Sequence, residues 1–138
     1  MRVILDTNVL ISGIFFKGPP SQILKAWRDG KISIVASNAI LSEYARTTTR
    51  LSEEFPLINI SEFLDLLTIK AEIVSEIVVP KRISRHKADD KFLLCALAGK
   101  VPIIITGDNH LLELHPYQAI EIIKPASFAN RFLLKKPS

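Results

Sequence analysis

Apolar and polar positions along this chain alternate between two periods. Val3-Ile4-Leu5 is an unbroken apolar run that stops at Asp6, and Thr7 and Asn8 follow before Val9-Leu10-Ile11. A run of this kind, rich in branched residues, reads as a parallel strand buried on both faces. Ile32 to Ala36, Ile77 to Pro80, Val101 to Ile105 and Ile120 to Ile123 read as four further strands. The stretches between them carry helical spacing. Asn8 to Ile14 is a short helix stopped by Lys17-Gly18-Pro19-Pro20, and Gln22 to Asp29 follows with Ser21 as N-cap and Gly30 as its stop. Ser37 caps a helix from Asn38 to about Arg50. Asn59 and Glu62 have the spacing of a capping box and open a helix through Phe63, Leu66, Leu67 and Ile69. A strongly apolar helix runs from Asp89-Asp90 to Ala98 with Gly99 as its stop, a short one carries Leu111, Leu112 and Leu114, and Pro125 opens the last.

Strands that alternate with helices predict an α/β fold: three layers, α/β/α, around a central, mainly parallel five-stranded sheet. At 138 residues one domain over 1–138 is expected, large enough to bury roughly 68–70 % of its unfolded surface. There are no internal repeats and no low-complexity linkers. The apolar faces around Leu64, Leu67 and Phe128 are core faces or a dimer surface.

Composition narrows the chemistry. The net charge is +4, a mild lean toward a polyanionic partner. Cys95 is the only cysteine, which excludes an intrachain disulfide and a thiolate metal site. No apolar stretch reaches the ~18 residues of a membrane span, and Asp6 interrupts the first run far short of a signal sequence. A cytoplasmic protein is expected. There is no Gly-rich phosphate loop ending in Gly-Lys-Ser/Thr and no Gly-x-Ser-x-Gly elbow. Trp27, Tyr44 and Tyr117 are too scattered for a base-stacking platform.

What remains is a set of acids at element ends. Asp6 and Asp108 each follow a predicted strand. If strands one and four are neighbours across a topological switch, both carboxylates reach one crevice. Asp89 and Asp90 begin a helix, where acids are favoured by its dipole, and each of these aspartates is also a plausible cap. Glu43 lies within a helix and shares a face with Ile40; alone it reads as a solvated residue, and its interest comes from the strand that leads to it. Oxygen ligands without Cys suit Mg²⁺ or Mn²⁺. Two such ions roughly 3.5–4 Å apart serve phosphodiester hydrolysis. Arg46 and Arg50 follow Glu43 on its helix face, and the basic stretch Lys81 to Lys87 precedes Asp89.

In order and spacing, Leu5-Asp6-Thr7-Asn8-Val9-Leu10, Ser42-Glu43-Tyr44, Asp89-Asp90-Lys91-Phe92 and Thr106-Gly107-Asp108 resemble the successive motifs of PIN-domain nucleases, and the length resembles the stand-alone VapC-like toxins of toxin–antitoxin pairs. The resemblance implies a Mg²⁺- or Mn²⁺-dependent ribonuclease with Asp6, Glu43, Asp89 and Asp108 as metal ligands and catalytic acids. Thr106 would orient a carboxylate, Asn8 would lie beside the site, and Asp90 is the alternative register to Asp89. Arg46, Arg50, Arg85, Lys87 and His110 are the substrate contacts, with His86 as a further phosphate contact. The expected partners are RNA, an antitoxin protein and a second copy of the chain. Two departures stand out: Arg85, His86 and Lys87 replace acids common in relatives, and His110 replaces another. They motivate an alternative, a catalytically weak or inactive RNA-binding or protein-interaction module. Phosphotransfer through Asp6 as a covalent nucleophile is disfavoured, because Asn8 stands where a second Asp is wanted.

Overall fold

The computed structural model describes residues 1–56, 58–75 and 87–133, and for 87–89 the backbone alone. Five strands, β1 (Arg2–Leu5), β2 (Ser33–Ala36), β3 (Glu72–Ile73), β4 (Ile103–Ile105) and β5 (Glu121–Ile123), form one sheet in the order β3-β2-β1-β4-β5. Every pairing between them is parallel. Val3, Ile4 and Leu5 point alternately to opposite faces, yet all three are fully buried. Helices must therefore cover both faces of the central strand. The α/β architecture expected from the apolar blocks is the one observed.

The helices in chain order are α1 (Thr7–Phe15), α2 (Pro19–Arg28), α3 (Asn38–Ser52), α4 (Ile60–Lys70), α5 (Lys87–Gly99), α6 (Asn109–Leu112) and α7 (Pro125–Phe128), the last continued by a π turn over Ala129–Leu133. Ser37 caps α3 by accepting from the Ile40 N–H at 3.3 Å, and Asn59 caps α4 by accepting from the Glu62 N–H at 3.0 Å. Both caps are the ones the sequence predicts. Gly13 has a packing reason: a Cβ there would lie 2.6 Å from Leu24 Cδ1, so only glycine lets α1 and α2 approach this closely.

Several boundaries differ from the sequence reading. Ser21 does not start α2; the helix begins at Pro19 with prolines in its first turn, since a proline lacks only an N–H that a first turn leaves unpaired anyway. The third strand lies at Glu72–Ile73, while the predicted strand over Ile77 to Pro80 lies outside the described residues. Gly99 is the last residue of α5 rather than its stop, and Lys100 takes the left-handed turn at φ 53°. Gly99 sits in a tight spot, where a Cβ would lie 3.2 Å from both Val74 and Val101 side chains and those methyls would have to give by a few tenths of an ångström. Leu67 and Phe128 are buried in the core, so they offer no dimer surface. Among the described residues no helix is long and apolar enough to cross a membrane.

Candidate active site

The order β3-β2-β1-β4-β5 reverses direction between β1 and β4, and that is where the carboxyl ends of two neighbouring strands open a crevice. Leu5 is in register with Ile105, and the Asp6 N–H donates to the Ile105 carbonyl at 3.0 Å. Pairing thus carries one residue past the strand ends and sets Asp6 beside Thr106. Thr106, fully buried, donates its Oγ1 proton to Asp6 Oδ2 at 2.6 Å and accepts from the Asp108 N–H at 3.0 Å. One hydroxyl fixes both the carboxylate at the end of β1 and the turn that leaves β4.

Asp6 stands at the N-cap position of α1, where its side chain closes no regular capping bond and draws only on the Asn8 N–H. It is only 7 % exposed. Burial raises its pKa above the ordinary carboxylate value. The Thr106 hydrogen bond opposes that rise, the nearby Asp108 charge adds to it, the Asn8 N–H opposes it and Glu43 adds to it. Capping alone leaves such an acid unexplained. Asp108, by contrast, does cap α6: its Oδ1 accepts from the His110 N–H at 2.9 Å.

Glu43 reaches the same end of the sheet from α3. It is not a solvated helix residue: Thr7 Oγ1 donates to its Oε2, and Lys91 Nζ from α5 donates to its Oε1 at 2.9 Å. The next residue, Tyr44, is fully buried and donates its hydroxyl to the Leu5 carbonyl. That bond ties the helix holding Glu43 to the last residue of the strand holding Asp6. Burial first, then the charges of Asp6, Cys95 and Glu43, push the Tyr44 pKa well above its usual value, so the group stays a neutral donor.

Asp6, Thr7, Asn8, Glu43, Thr47, Arg50 and Phe92 line a cavity of about 210 Å³. Of the residues expected at the site, Asp6, Asn8, Glu43 and Arg50 meet there, Thr106 and Asp108 adjoin through Asp6, and Arg46 is exposed one turn before Arg50 on α3. Asp90 is half-buried near the start of α5, and His110 is exposed. The backbone of Asp89 and Lys87 belongs to the first turn of α5, while their side chains, with Arg85 and His86, lie outside the described residues. Among the described residues, no three Asp, Glu, His or Cys side chains gather closely enough to enclose a metal. The donor chemistry nevertheless fits a hard cation, since the acids offer only oxygen and the buried Asp6 carries a charge that Asp108 and Glu43 make more costly. Sequence reasoning gave no role to Thr7, Tyr44, Thr47 or Lys91. Thr7, Tyr44 and Lys91 each sit next to a motif acid in sequence, which is the signal that was available.

The comparisons with known proteins bear on the family and the fold. A family model described as the PIN domain matches residues 2–110. Among solved structures, the fold is similar to a chain of VapBC2 from Rickettsia felis, whose crystal structure is bound to a DNA fragment from their promoter. The TM-score is 0.57 at 14% identity, with 90% of this chain and 98% of that chain covered. No curated protein matches in sequence.

Proposed function

The chain belongs to the PIN-domain family, whose members are generally nucleases, and from that premise we propose that it is a divalent-metal-dependent endoribonuclease. The observation that carries this reading is the buried Asp6, held by Thr106 at the switch point and near enough to Asp108 and Glu43 for their charges to raise its pKa. A buried carboxylate beside two others is costly without positive charge nearby. Asp6, Asp108 and Glu43 would hold Mg²⁺ or Mn²⁺, with Asp89 at the start of α5 as the fourth acid. When bound, such an ion lowers the pKa of a water and neutralises charge on the departing oxygen. The chain's own residues do the rest. Thr106 keeps Asp6 in one orientation, Tyr44 fixes the distance between α3 and β1, and Asn8, Thr47 and Arg50 offer polar contacts at the cavity wall. Arg50 and the exposed Arg46 would grip phosphate, with Arg85, Lys87 and His110 as further contacts.

An antitoxin partner and a second copy of the chain complete the proposal. The motif resemblance to stand-alone VapC-like toxins and the likeness of fold to VapBC2 support them. A cytoplasmic setting accords with that reading.

Purified protein is incubated with single-stranded RNA and Mn²⁺, with and without EDTA. We expect cleavage by the wild type, its loss in EDTA, and at least a ~10²-fold drop for Asp6→Asn, in line with removal of one preorganised electrostatic group. Equal rates for the variant and the wild type would sink the assignment.

A further inference from the structure

Glu43 differs from Asp6 in that its negative charge is already matched by a side chain. Lys91 comes from the first half of α5, and its ammonium lies 2.9 Å from Glu43 Oε1 on α3. The pair is sheltered, with the two side chains 18 % and 25 % exposed, so water screens it less than a surface pair. The other oxygen of Glu43 is taken by Thr7, and the Lys91 ammonium also rests 5.2 Å from the centre of the Phe92 ring, whose residue lines the cavity. Asp6 differs. Its partners at the site are a hydroxyl and a backbone N–H, both neutral, and neither removes its charge.

We propose that Lys91 is a resident cation of the active site. It supplies to Glu43 the positive charge that a second divalent ion would otherwise supply, so the site takes one divalent ion, held from the Asp6 and Asp108 side. Lys91 is then a positioning residue: it acts through Glu43 and sets how many ions the acids accept and how tightly. The physical reason is Coulombic. A fixed ammonium against a site carboxylate cancels one of the charges that draw cations in, and it repels a divalent ion brought to the same oxygen. This inference rests on the metal-dependent reading above.

Mn²⁺ is titrated into the full-length chain by calorimetry, with thermal melts to confirm that each variant is folded. The wild type is expected to bind about one Mn²⁺, and Lys91→Met to bind a second equivalent or to bind the first at least about fivefold tighter. Lys91→Arg, which keeps the charge, should behave as wild type. Should Lys91→Met not fold, Lys91→Gln is read in its place. Two Mn²⁺ in the wild type, or a neutral variant that binds with unchanged number and affinity or more weakly, overturns the role of Lys91 and leaves the nuclease reading standing. No binding of Mn²⁺ by the wild type overturns both.

Discussion

Thr106 and Asp6 show how little a single residue type reveals alone. Asp6 at the end of an apolar strand reads equally as a helix cap, and the geometry adds what a cap does not need: the side chain takes the proton of Thr106, from the neighbouring strand's end, at 2.6 Å. Its raised pKa has a consequence for stability, with a definite sign. The folded state binds the Asp6 proton more tightly than the unfolded chain does. The stability linked to that proton is fully present below the unfolded carboxylate pKa and is lost as pH rises through the higher folded value. At neutral pH without metal, the ionised Asp6 is therefore a burden on the fold. Asp6→Asn should melt at a higher temperature than the wild type in EDTA at pH 7, and the gap should close as the pH is lowered toward the carboxylate range. Adding Mn²⁺ should reverse the order, because ligand binding stabilises only the protein that retains the site. Melting curves at several pH values, with and without Mn²⁺, check this. A variant that melts lower than wild type in EDTA at pH 7 contradicts it.

At the level of elements, the precision of the site comes from the joint between β1 and α3. Tyr44 is fully buried and its hydroxyl meets the Leu5 carbonyl, while Thr7 at the start of α1 meets Glu43. Three elements are pinned within a few residues of Asp6. Tyr44→Phe keeps the ring and removes the bond, leaving a buried carbonyl without that partner, at a cost of roughly 1–3 kcal/mol. We expect a lower denaturation midpoint with an unchanged slope, together with weaker Mn²⁺ binding, since the bond to the Leu5 carbonyl no longer steadies the end of β1 that presents Asp6. A variant that loses stability but binds Mn²⁺ as wild type would show that Tyr44 serves packing alone. This joint was not legible in the sequence. The apolar blocks gave four of the five strands and the caps Ser37 and Asn59, because burial period and capping chemistry are local, whereas β3 at Glu72–Ile73 has no apolar block and was missed. Which strands pair is not local, and convergence of Asp6 and Asp108 depended on β1 and β4 being neighbours. Tyr44 was weighed only as a stacking ring and part of a motif and Lys91 only as part of a motif, because partners 39 and 48 residues away in the chain leave no mark on the spacing around them. The π turn after α7 had no signal, and Gly99 was read as a stop although it is the last residue of α5.

The molecule as a whole must bring a polyanion to an acidic crevice, and its net charge of +4 helps only if the cations lie along the approach. Arg50 lines the cavity wall, and Arg46 is exposed one turn earlier on α3. Lys91, by contrast, is committed to Glu43. The two kinds of cation should separate by their salt dependence. Each phosphate contact releases condensed counterions, so the logarithm of affinity for single-stranded RNA falls with the logarithm of salt by about 0.7 per contact. Measured in EDTA, where RNA is not cut, Arg50→Gln should weaken binding at low salt and flatten the slope by about that amount, and Arg46→Gln likewise. Lys91→Met should leave the slope unchanged, because an ammonium paired with a carboxylate holds no phosphate. If Lys91→Met flattens the slope while Arg50→Gln does not, the substrate path runs past α5 and the assignment of α3 as the phosphate-gripping face is wrong. If none of the three alters it, the RNA is held elsewhere on the surface and the cavity accepts only the bond to be cut.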